Sequence, residues 1–168
     1  MQKPLYIPFI FLLLIVLITS CEKKDVDEKA DKVIVHKSKR KMQLLKNGEV
    51  IRTYKIALGD NPIGHKQQEG DERTPEGNYI LDWRNSKSSC YKSLHISYPN
   101  AADKARAKQL GVSPGGNIMI HGLHPSMKWL GKFHHYKDWT NGCIAVNNTE
   151  IDEIWKIVNN GTPIEIRK

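Results

Sequence analysis

Alternation of apolar and polar residues between positions 33 and 58 is the feature that most constrains how this 168-residue chain can fold. Residues 33–35 and 41–46 each have the length and composition of a short strand. The sequence KNGE at 46–49 places Asn47 and Gly48 in a two-residue hairpin turn, because both residues adopt positive φ at little cost. Residues 50–58 then return with a period of two, which predicts one shared face for Val50, Arg52, Tyr54 and Ile56.

The rest of the chain continues this pattern, with only two helical segments. Further strands are predicted at residues 78–83, 93–99, 117–120 and 162–166. Residues 100–110 form a predicted helix that is capped by Asn100 and ended by Gly111. Residues 147–161 form the second predicted helix, with Asn148 or Thr149 as its cap. The sequence therefore predicts a mostly β domain, a sandwich or small barrel, with two short helices.

The hydrophobic run near the beginning of the sequence is predicted to be a targeting signal and not part of the folded domain. Residues 7–18 are nearly all apolar, which is the length of a secretory signal core and short for a transmembrane helix. The following LITSC, at 17–21, resembles a bacterial lipoprotein signal, in which cleavage precedes an acylated cysteine, here Cys21. An uncleaved anchor and an ordinary secretory signal are the alternatives, and palmitate incorporation that requires Cys21 distinguishes them.

This interpretation sets the predicted organisation of the chain. Residues 1–20 are the signal peptide, residues 21–32 carry the lipidated cysteine and a charged, flexible tether, and residues 33–168 form the catalytic domain. We expect a protein that is lipid-anchored in the cell envelope, facing the periplasm. Glu22, directly after the acylated cysteine, favours the outer membrane if the host is Gram-negative.

The charge balance limits the classes of partner. The formal net charge of +8 attracts polyanions, and for an exported protein these are the polymers and lipids of the envelope. We expect no nucleic-acid partner and no cofactor or metal, because neither a phosphate-binding loop nor zinc-finger spacing occurs. We expect a monomer.

Two glycine-flanked residues are the strongest chemical signal. His121 ends an apolar strand and is followed by Gly122, whereas Cys143 begins another strand and is preceded by Gly142. Two such strand ends can bring an imidazole to a thiol and lower the pKa of the cysteine. A disulfide between Cys143 and Cys90 is the structural alternative, because an oxidising compartment favours such bridges.

The two glycines fit the same chemistry. Gly142 lets a substrate approach the backbone and leaves nearby N–H groups, including that of Cys143, to bind an oxyanion. Gly122 can offer its carbonyl to the second nitrogen of His121 and so fix the tautomer.

Four blocks along the chain carry a family resemblance. RTPEGNY, SLHISYPN, PGGNIMIHG and TNGCIAVNNTEIDEIW occur in this order and closely resemble the YkuD-like L,D-transpeptidases, which crosslink the bacterial cell wall. The similarity runs from about Val33 to Ile166. It implies a mostly β catalytic domain whose motif cysteine is acylated by a peptidoglycan tetrapeptide stem.

The resemblance also implies a role for each motif residue. Cys143 is the nucleophile, His121 the general base and later acid, and the Gly122 carbonyl orients the imidazole. Backbone N–H groups of Gly142 and Cys143 form the oxyanion hole. A thioester forms with the third stem residue, D-alanine leaves, and an amine of another stem or of a protein lysine accepts the acyl group.

The sequence departs from the common family pattern beside the nucleophile. Thr140 and Asn141 stand where many members have Ser-His, and Ala145 stands where many have a polar residue. Thr140, Asn141 and Tyr98 are the candidate substrate contacts, and Arg84 or a cleft lysine is the candidate for a stem carboxylate. Because these departures bear on the acceptor, L,D-carboxypeptidase activity or hydrolysis of protein–peptidoglycan links is the alternative reaction.

Two further functional classes remain open at this point. His124, His134 and His135 together with Cys143 offer nitrogen and sulfur ligands, so a zinc-dependent peptidase is one, although no HExxH motif occurs. A non-catalytic wall-binding lipoprotein is the other. The long segment that holds these histidines suits a substrate flap. Its aromatic residues can line the cleft: Trp129, Phe133, Tyr136 and Trp139.

Overall fold

The structure is a computed structural model that describes residues 28–168. The predicted signal peptide, the lipidation site Cys21 and most of the predicted tether at 21–32 lie outside the described residues. The last tether residues already belong to the folded domain, because Ala30 is buried and its N–H donates to the Ile157 carbonyl at 2.8 Å. Within residues 28–168, no helix is long and apolar enough to cross a membrane.

Eight strands and a few short helices make up the domain, so the mostly β prediction is confirmed. The strands are β1 (Lys32–His36), β2 (Lys41–Lys46), β3 (Glu49–Lys55), β4 (Gly77–Ser88), β5 (Tyr91–Ile96), β6 (Met119–His121), β7 (Ile144–Ala145) and β8 (Thr162–Arg167). The α-helices are α1 (Ala101–Leu110) and α2 (Asn148–Ile157). One-turn 3₁₀ helix Lys37–Lys39 follows β1, and a longer 3₁₀ segment, Pro125–Tyr136, precedes β7 and is interrupted at Gly131.

The strands form one sheet in the order β3-β2-β1-β8-β4-β5-β6-β7. The chain that leaves β3 then pairs with the far edge of the sheet, since Ala57 and Ala145 exchange two backbone hydrogen bonds of 3.0 and 2.9 Å. Closure of this kind removes the exposed sheet edges. The sheet therefore curls into a barrel-like shape, with β7 and the nucleophile candidate at the seam.

The predicted hairpin is present, with one difference in register. Asn47 and Gly48 both have positive φ, as the turn requires. A bulge in the β2–β3 pairing makes Ile51 an extra residue, so Ile51 is buried and Val50 is turned outward. The predicted common face from Val50 to Ile56 is therefore wrong at its beginning.

The helix caps follow their sequence signals closely but not in every detail. Asn100 caps α1 in a reciprocal capping box and Gly111 ends it in a left-handed conformation, as predicted. α2 is capped by Asn147, one residue before the predicted caps. It ends at Ile157 rather than near residue 161, because Val158 is extended and bridges to Ala30.

The core lies between the inner face of the sheet and α2. Ile120 on β6 and Ile144 on β7 are fully buried and pair directly in this core. Ile151 and Ile154 of α2 are buried in the same core. Each such side chain stabilises the fold by about 1.5–3 kcal/mol relative to an exposed one. These contacts fix the two strands whose other face carries the candidate site.

Candidate active site

The parallel pair β6–β7 brings the segments that carry His121 and Cys143 next to each other. Ile120 pairs with Ile144 and His121 with Ala145, so Cys143, one residue before β7, is level with Met119. Side chains alternate along a strand, so Cys143 and His121 both project from the face opposite to Ile120 and Ile144. The structure thus brings together the two residues that the sequence singled out, on diagonal positions of one surface.

The Cys143 thiol is held by the backbone at the beginning of β6. Its Sγ lies 3.4 Å from the Met119 nitrogen, which donates to it, and 3.6 Å from the Asn117 carbonyl oxygen, to which it donates. Cys143 and Cys90 are both free thiols, so the alternative of a disulfide between them is not realised. The nucleophile candidate is therefore available at the mouth of the seam.

His121 is oriented by its own neighbour in the chain. Its Nδ1 lies 2.6 Å from the Gly122 carbonyl oxygen, and a carbonyl can only accept a hydrogen bond. Nδ1 therefore carries the proton and Nε2 of the neutral ring is the free base. Trp139 packs edge-on against the imidazole at 5.7 Å between ring centres, so His121 is almost fully buried.

The electrostatics of the resting pair differ from the expected lowered thiol pKa. Burial raises the pKa of Cys143, and the hydrogen bond from Met119 opposes this only in part. Burial likewise lowers the pKa of His121, with the Gly122 carbonyl opposing and the charge of His134 adding to the effect. Both shifts favour a neutral thiol beside a neutral imidazole, since a low-dielectric site disfavours each charged form.

Thr140 shapes the nucleophile turn instead of facing a substrate. Its buried hydroxyl donates to the Cys143 carbonyl at 2.7 Å and accepts from the Gly142 N–H at 3.2 Å. This position gives no support to a contact of Thr140 with substrate, which stays a prediction. The Gly142 N–H is already used within the turn, whereas the Cys143 N–H has no acceptor within residues 28–168 and stays a candidate donor to an oxyanion.

Gly142 is required by its surroundings as well as by its backbone angle. It has φ of +117°, and a Cβ there would lie 2.7 Å from the Arg73 carbonyl oxygen. Gly59 lies against the same place, since its Cβ would meet the Glu72 carbonyl at 1.9 Å and the Gly142 Cα at 2.9 Å. Three backbone segments therefore meet behind the nucleophile with no room for side chains.

Tyr98 and Asn141, the other candidate substrate contacts, have different positions. Tyr98 is buried, and its hydroxyl donates to the Pro114 carbonyl at 2.9 Å, so its position gives no support to the predicted contact with substrate, which stays a prediction. Asn141 is exposed and lines a cavity of about 370 Å³ with Gly115, Gly116 and Lys66. Asn141 thus remains a substrate-binding proposal.

A second opening lies on the histidine side of the site. A cavity of about 340 Å³ runs between α2 and the segment Pro125–Tyr136, which we call the flap. Asn148 lines it and accepts from the Leu123 N–H at 2.8 Å, which fixes the chain that follows Gly122. A Cβ on Gly122 would lie 2.7 Å from the same Asn148 oxygen, so this glycine too is needed for close packing.

The flap presents its aromatic side chains to solvent. Trp129 is 82% exposed, and Phe133 and Tyr136 stack on each other while remaining exposed. Three histidines lie in or next to the flap. His124 bonds Ser126, and the buried His134 faces Glu150 at 3.7 Å. His135 stacks on Tyr136 and meets the His134 ring edge-on.

The zinc alternative gains no support from this arrangement. Across residues 28–168, no three His, Cys, Asp or Glu side chains are placed to share a metal ion. Arg84, the candidate for a stem carboxylate, is engaged by Asn160 at 2.9 Å and by the Trp155 carbonyl at 2.8 Å, over the Trp155 ring. Its guanidinium group is therefore occupied by contacts within the domain.

Comparison with known proteins places these residues in a family context. Residues 30–166 match the YkuD family, the L,D-transpeptidase catalytic domain. A relative named "Putative L,D-transpeptidase YafK" from Escherichia coli K12 is 33% identical over 130 residues, which cover 74% of this chain and 45% of YafK. The chain thus spans about half the length of this relative.

Solved structures show the same fold. The crystal structure of the helical cell shape determining protein Pgp2 from Campylobacter jejuni has a TM-score of 0.63 at 25% identity, covering 84% of this chain and 49% of Pgp2. An L,D-transpeptidase from Mycobacterium smegmatis has a TM-score of 0.55 at 14% identity, covering 83% of this chain and 59% of that one. The barrel-like sheet is therefore common to these proteins.

Proposed function

Because the chain belongs to the YkuD family of L,D-transpeptidase catalytic domains, we propose that it is a cysteine-dependent acyltransferase that rearranges peptide stems of the cell wall. L,D-transpeptidases act on peptidoglycan peptide stems. The observation that carries the proposal is the parallel β6–β7 pair, which puts Cys143 and the Gly122-oriented His121 on one face. The lipid anchor on Cys21 and the location in the cell envelope belong to the same proposal.

Acylation begins with the neutral pair. The Cys143 sulfur bonds to the carbonyl carbon of the third stem residue while its proton moves to Nε2 of His121. The carbonyl oxygen becomes an oxyanion that accepts from the Cys143 N–H. Gly122 keeps its hydrogen bond to Nδ1 and so stabilises the imidazolium that forms.

Two further steps complete the transfer. The bond to the terminal D-alanine breaks, and the D-alanine nitrogen takes the proton from His121, which leaves a thioester on Cys143. An amine of a second stem or of a protein lysine then attacks this thioester and gives its proton to His121. Cys143 leaves as the thiolate and regains that proton.

Incubation of the full-length protein with a disaccharide-tetrapeptide tests this reaction. A crosslinked dimer together with released D-alanine is the expected product. Replacement of Cys143 by Ala should abolish D-alanine release, whereas Cys90→Ala should preserve it, since the Cys90 side chain makes no hydrogen bond to Cys143 or His121 within residues 28–168 and adds only a smaller effect than burial to the Cys143 pKa.

Other product patterns assign other reactions. Multiple-turnover release of D-alanine with a tripeptide product identifies an L,D-carboxypeptidase, with the same nucleophile. One equivalent of D-alanine per enzyme identifies an acyl-enzyme that lacks its acceptor. Activity that persists in Cys143→Ala would overturn the thiol mechanism.

A further inference from the structure

Three cavities follow one another along the flap, Pro125–Tyr136. One of about 420 Å³ lies between the end of β4 and Lys128. The next, of about 340 Å³, lies between Lys128, Lys132 and the first turn of α2. The last, also of about 340 Å³, lies between Lys132 and Lys55 at the end of β3. Because neighbouring cavities share a lining lysine, they form one groove, which we call the flap groove.

The flap groove is lined by lysine side chains that the domain leaves unpaired. Lys87, at the end of β4, joins the three lysines named above. Within residues 28–168, none of these four ammonium groups makes a hydrogen bond or an ion pair. A lysine such as Lys37 is by contrast paired, with Glu76 at 2.9 Å. The positive charge in the groove is therefore available to a ligand.

The groove contains little negative charge to oppose these lysines. Glu150 is the one acid among the described residues that line the three cavities. Its Oε2 accepts from the Asn147 N–H at 2.9 Å, in the capping box of α2, and faces the buried His134 at 3.7 Å. The beginning of α2 also places the positive end of a helix dipole at the middle cavity. The groove is therefore positive and favours an anionic ligand.

Stacked aromatic rings line the last cavity. Phe133 stacks on Tyr136 at 5.8 Å between ring centres, and His135 stacks on the same tyrosine at 4.8 Å. Phe133 and Tyr136 are 65% and 76% exposed. An exposed apolar patch of this kind marks a place of contact with a partner. Flat rings next to lysines suit a ligand with both an apolar face and negative charge, as a sugar chain that carries carboxylates has.

The groove adjoins the candidate active site. Leu123 lines the first two cavities, and its N–H donates to Asn148 of α2 at 2.8 Å. The residue before it, Gly122, orients the imidazole of His121 through its carbonyl, at 2.6 Å. A chain bound in the groove therefore passes the segment that holds the base, on the histidine side of the site.

We propose that the flap groove binds a glycan strand with its anionic peptide stems, in addition to the single stem that reacts at Cys143. The inference rests on the proposed function, which makes peptide stems the substrate. Carboxylates recur from stem to stem along such a strand as lysines recur along the groove, so the two are complementary in charge. The sugar rings offer apolar faces to Phe133 and Tyr136. Because several contacts form at once, the protein should prefer polymeric wall material to a single muropeptide.

Cosedimentation with purified peptidoglycan sacculi tests the proposal by binding alone. The full-length protein carries Cys143→Ala, so that stems are bound and not converted, and Cys21→Ala, so that no lipid anchor contributes. Lys128→Gln and Lys132→Gln are added together, because these two lysines each line two cavities. The double change should weaken binding about 5- to 10-fold, since each exposed ion pair contributes modestly.

Matched variants separate the groove from the net charge of the protein. Lys104→Gln with Lys108→Gln removes two equally exposed lysines from α1, which lines none of the three cavities. At about 0.1 M salt, where charges outside the contact are screened, this pair should change binding by less than about 1.5-fold. Lys128→Arg with Lys132→Arg keeps the charge and should bind as the parent does. Circular dichroism checks that each variant is folded.

Two further surfaces test the chemical class of the ligand. Sacculi from which the peptide stems have been removed lack the stem carboxylates, so binding should fall by at least about 5-fold. Phosphatidylglycerol vesicles offer negative charge without sugar rings and should bind more weakly than sacculi. Undiminished binding to stem-free glycan, or tighter binding to vesicles that depends on Lys128 and Lys132, would overturn the proposed ligand.

The outcomes also distinguish this inference from the proposed function. Unchanged sacculus binding in Lys128→Gln/Lys132→Gln, or an equal loss in the α1 pair, would overturn the groove. D-alanine release by the protein with Cys143 intact would still support the proposed reaction in that case. Absence of D-alanine release together with binding that depends on the groove lysines and on the stems would instead overturn the reaction and keep the groove.

Discussion

The two walls of the cleft around Cys143 are built in opposite ways. The polar loop at residues 59–76 is tied down by buried charges, with Lys37 and Lys66 each bonded to its backbone and its acids. The flap, Pro125–Tyr136, instead exposes Trp129, Phe133 and Tyr136 to solvent.

Because of this difference, we expect the two walls to affect different properties of the protein. Backbone carbonyl groups of the polar loop lie close to Gly142 and Gly59. We therefore expect a small displacement of this loop to move the nucleophile candidate Cys143. The buried His134 of the flap lowers the pKa of His121, whereas Trp129, Phe133 and Tyr136 are exposed and could meet a substrate. We therefore expect changes in the polar loop to affect folding and kcat, and changes in the flap to affect KM.

The largest expected effect comes from adding one methyl group where the polar loop meets the nucleophile turn. Gly142→Ala forces a Cβ to 2.7 Å from the Arg73 carbonyl at φ of +117°. We expect it to lower the free energy of unfolding by about 3–5 kcal/mol and activity by at least about 100-fold. Urea denaturation and D-alanine release measure the two effects.

Gly131 in the flap is the matched control for Gly142→Ala. It also has positive φ, +48°, but a Cβ there meets no atom within 4 Å. Gly131→Ala should cost only about 1–2 kcal/mol, from backbone strain alone. Equal losses in the two variants would show that the walls do not differ in the way described.

A smaller effect is expected from the exposed tip of the flap. Trp129→Ala removes a side chain that is 82% exposed, so the free energy of unfolding should change by less than about 0.5 kcal/mol. If the flap binds the stem or its glycan, KM for the muropeptide should rise by about 3- to 10-fold with little change in kcat.

Trp155 provides the corresponding control on the other side of the molecule. It packs partly buried against the core and lies under Arg84, so Trp155→Ala should lower stability without raising KM. Denaturation and steady-state kinetics on both variants separate the two effects. An unchanged KM in Trp129→Ala would remove the flap from substrate binding.

The sequence predicted those features of the site that depend on residues adjacent in the chain. The Gly122 carbonyl oxygen accepts a hydrogen bond from His121, as the glycine-flanked motif indicated. The strands next to His121 and Cys143 pair with each other, also as indicated. The sequence did not predict that the Thr140 hydroxyl closes its own turn, because this depends on the local backbone path and not on residue type.

Contacts between distant segments could not be predicted in this way. The close approach of the Arg73 carbonyl to Gly142 joins residues that are far apart in the chain, and no local pattern predicts it. Tyr98 lies in a family block, yet its burial depends on how α1 and β4 pack around it, as its edge-on contact with Tyr79 shows. The early end of α2 is likewise set by Ala30, far away in the chain.

The smallest expected effect concerns the electrostatic influence of the flap on the base. Burial lowers the pKa of His121 below its usual 6.5, and the charge of the buried His134 lowers it further. Activity requires neutral His121, so its acidic limb should lie below pH 6.5. His134→Gln removes one lowering contribution, so the pKa of His121 should rise and the limb should move upward by about 0.2–0.5 pH unit. The pH profile of kcat/KM for D-alanine release measures this shift, with His135→Gln as a control because no effect of His135 on the pKa of His121 is found. A downward shift, or an equal shift in both variants, would show that the flap does not act on the base through His134.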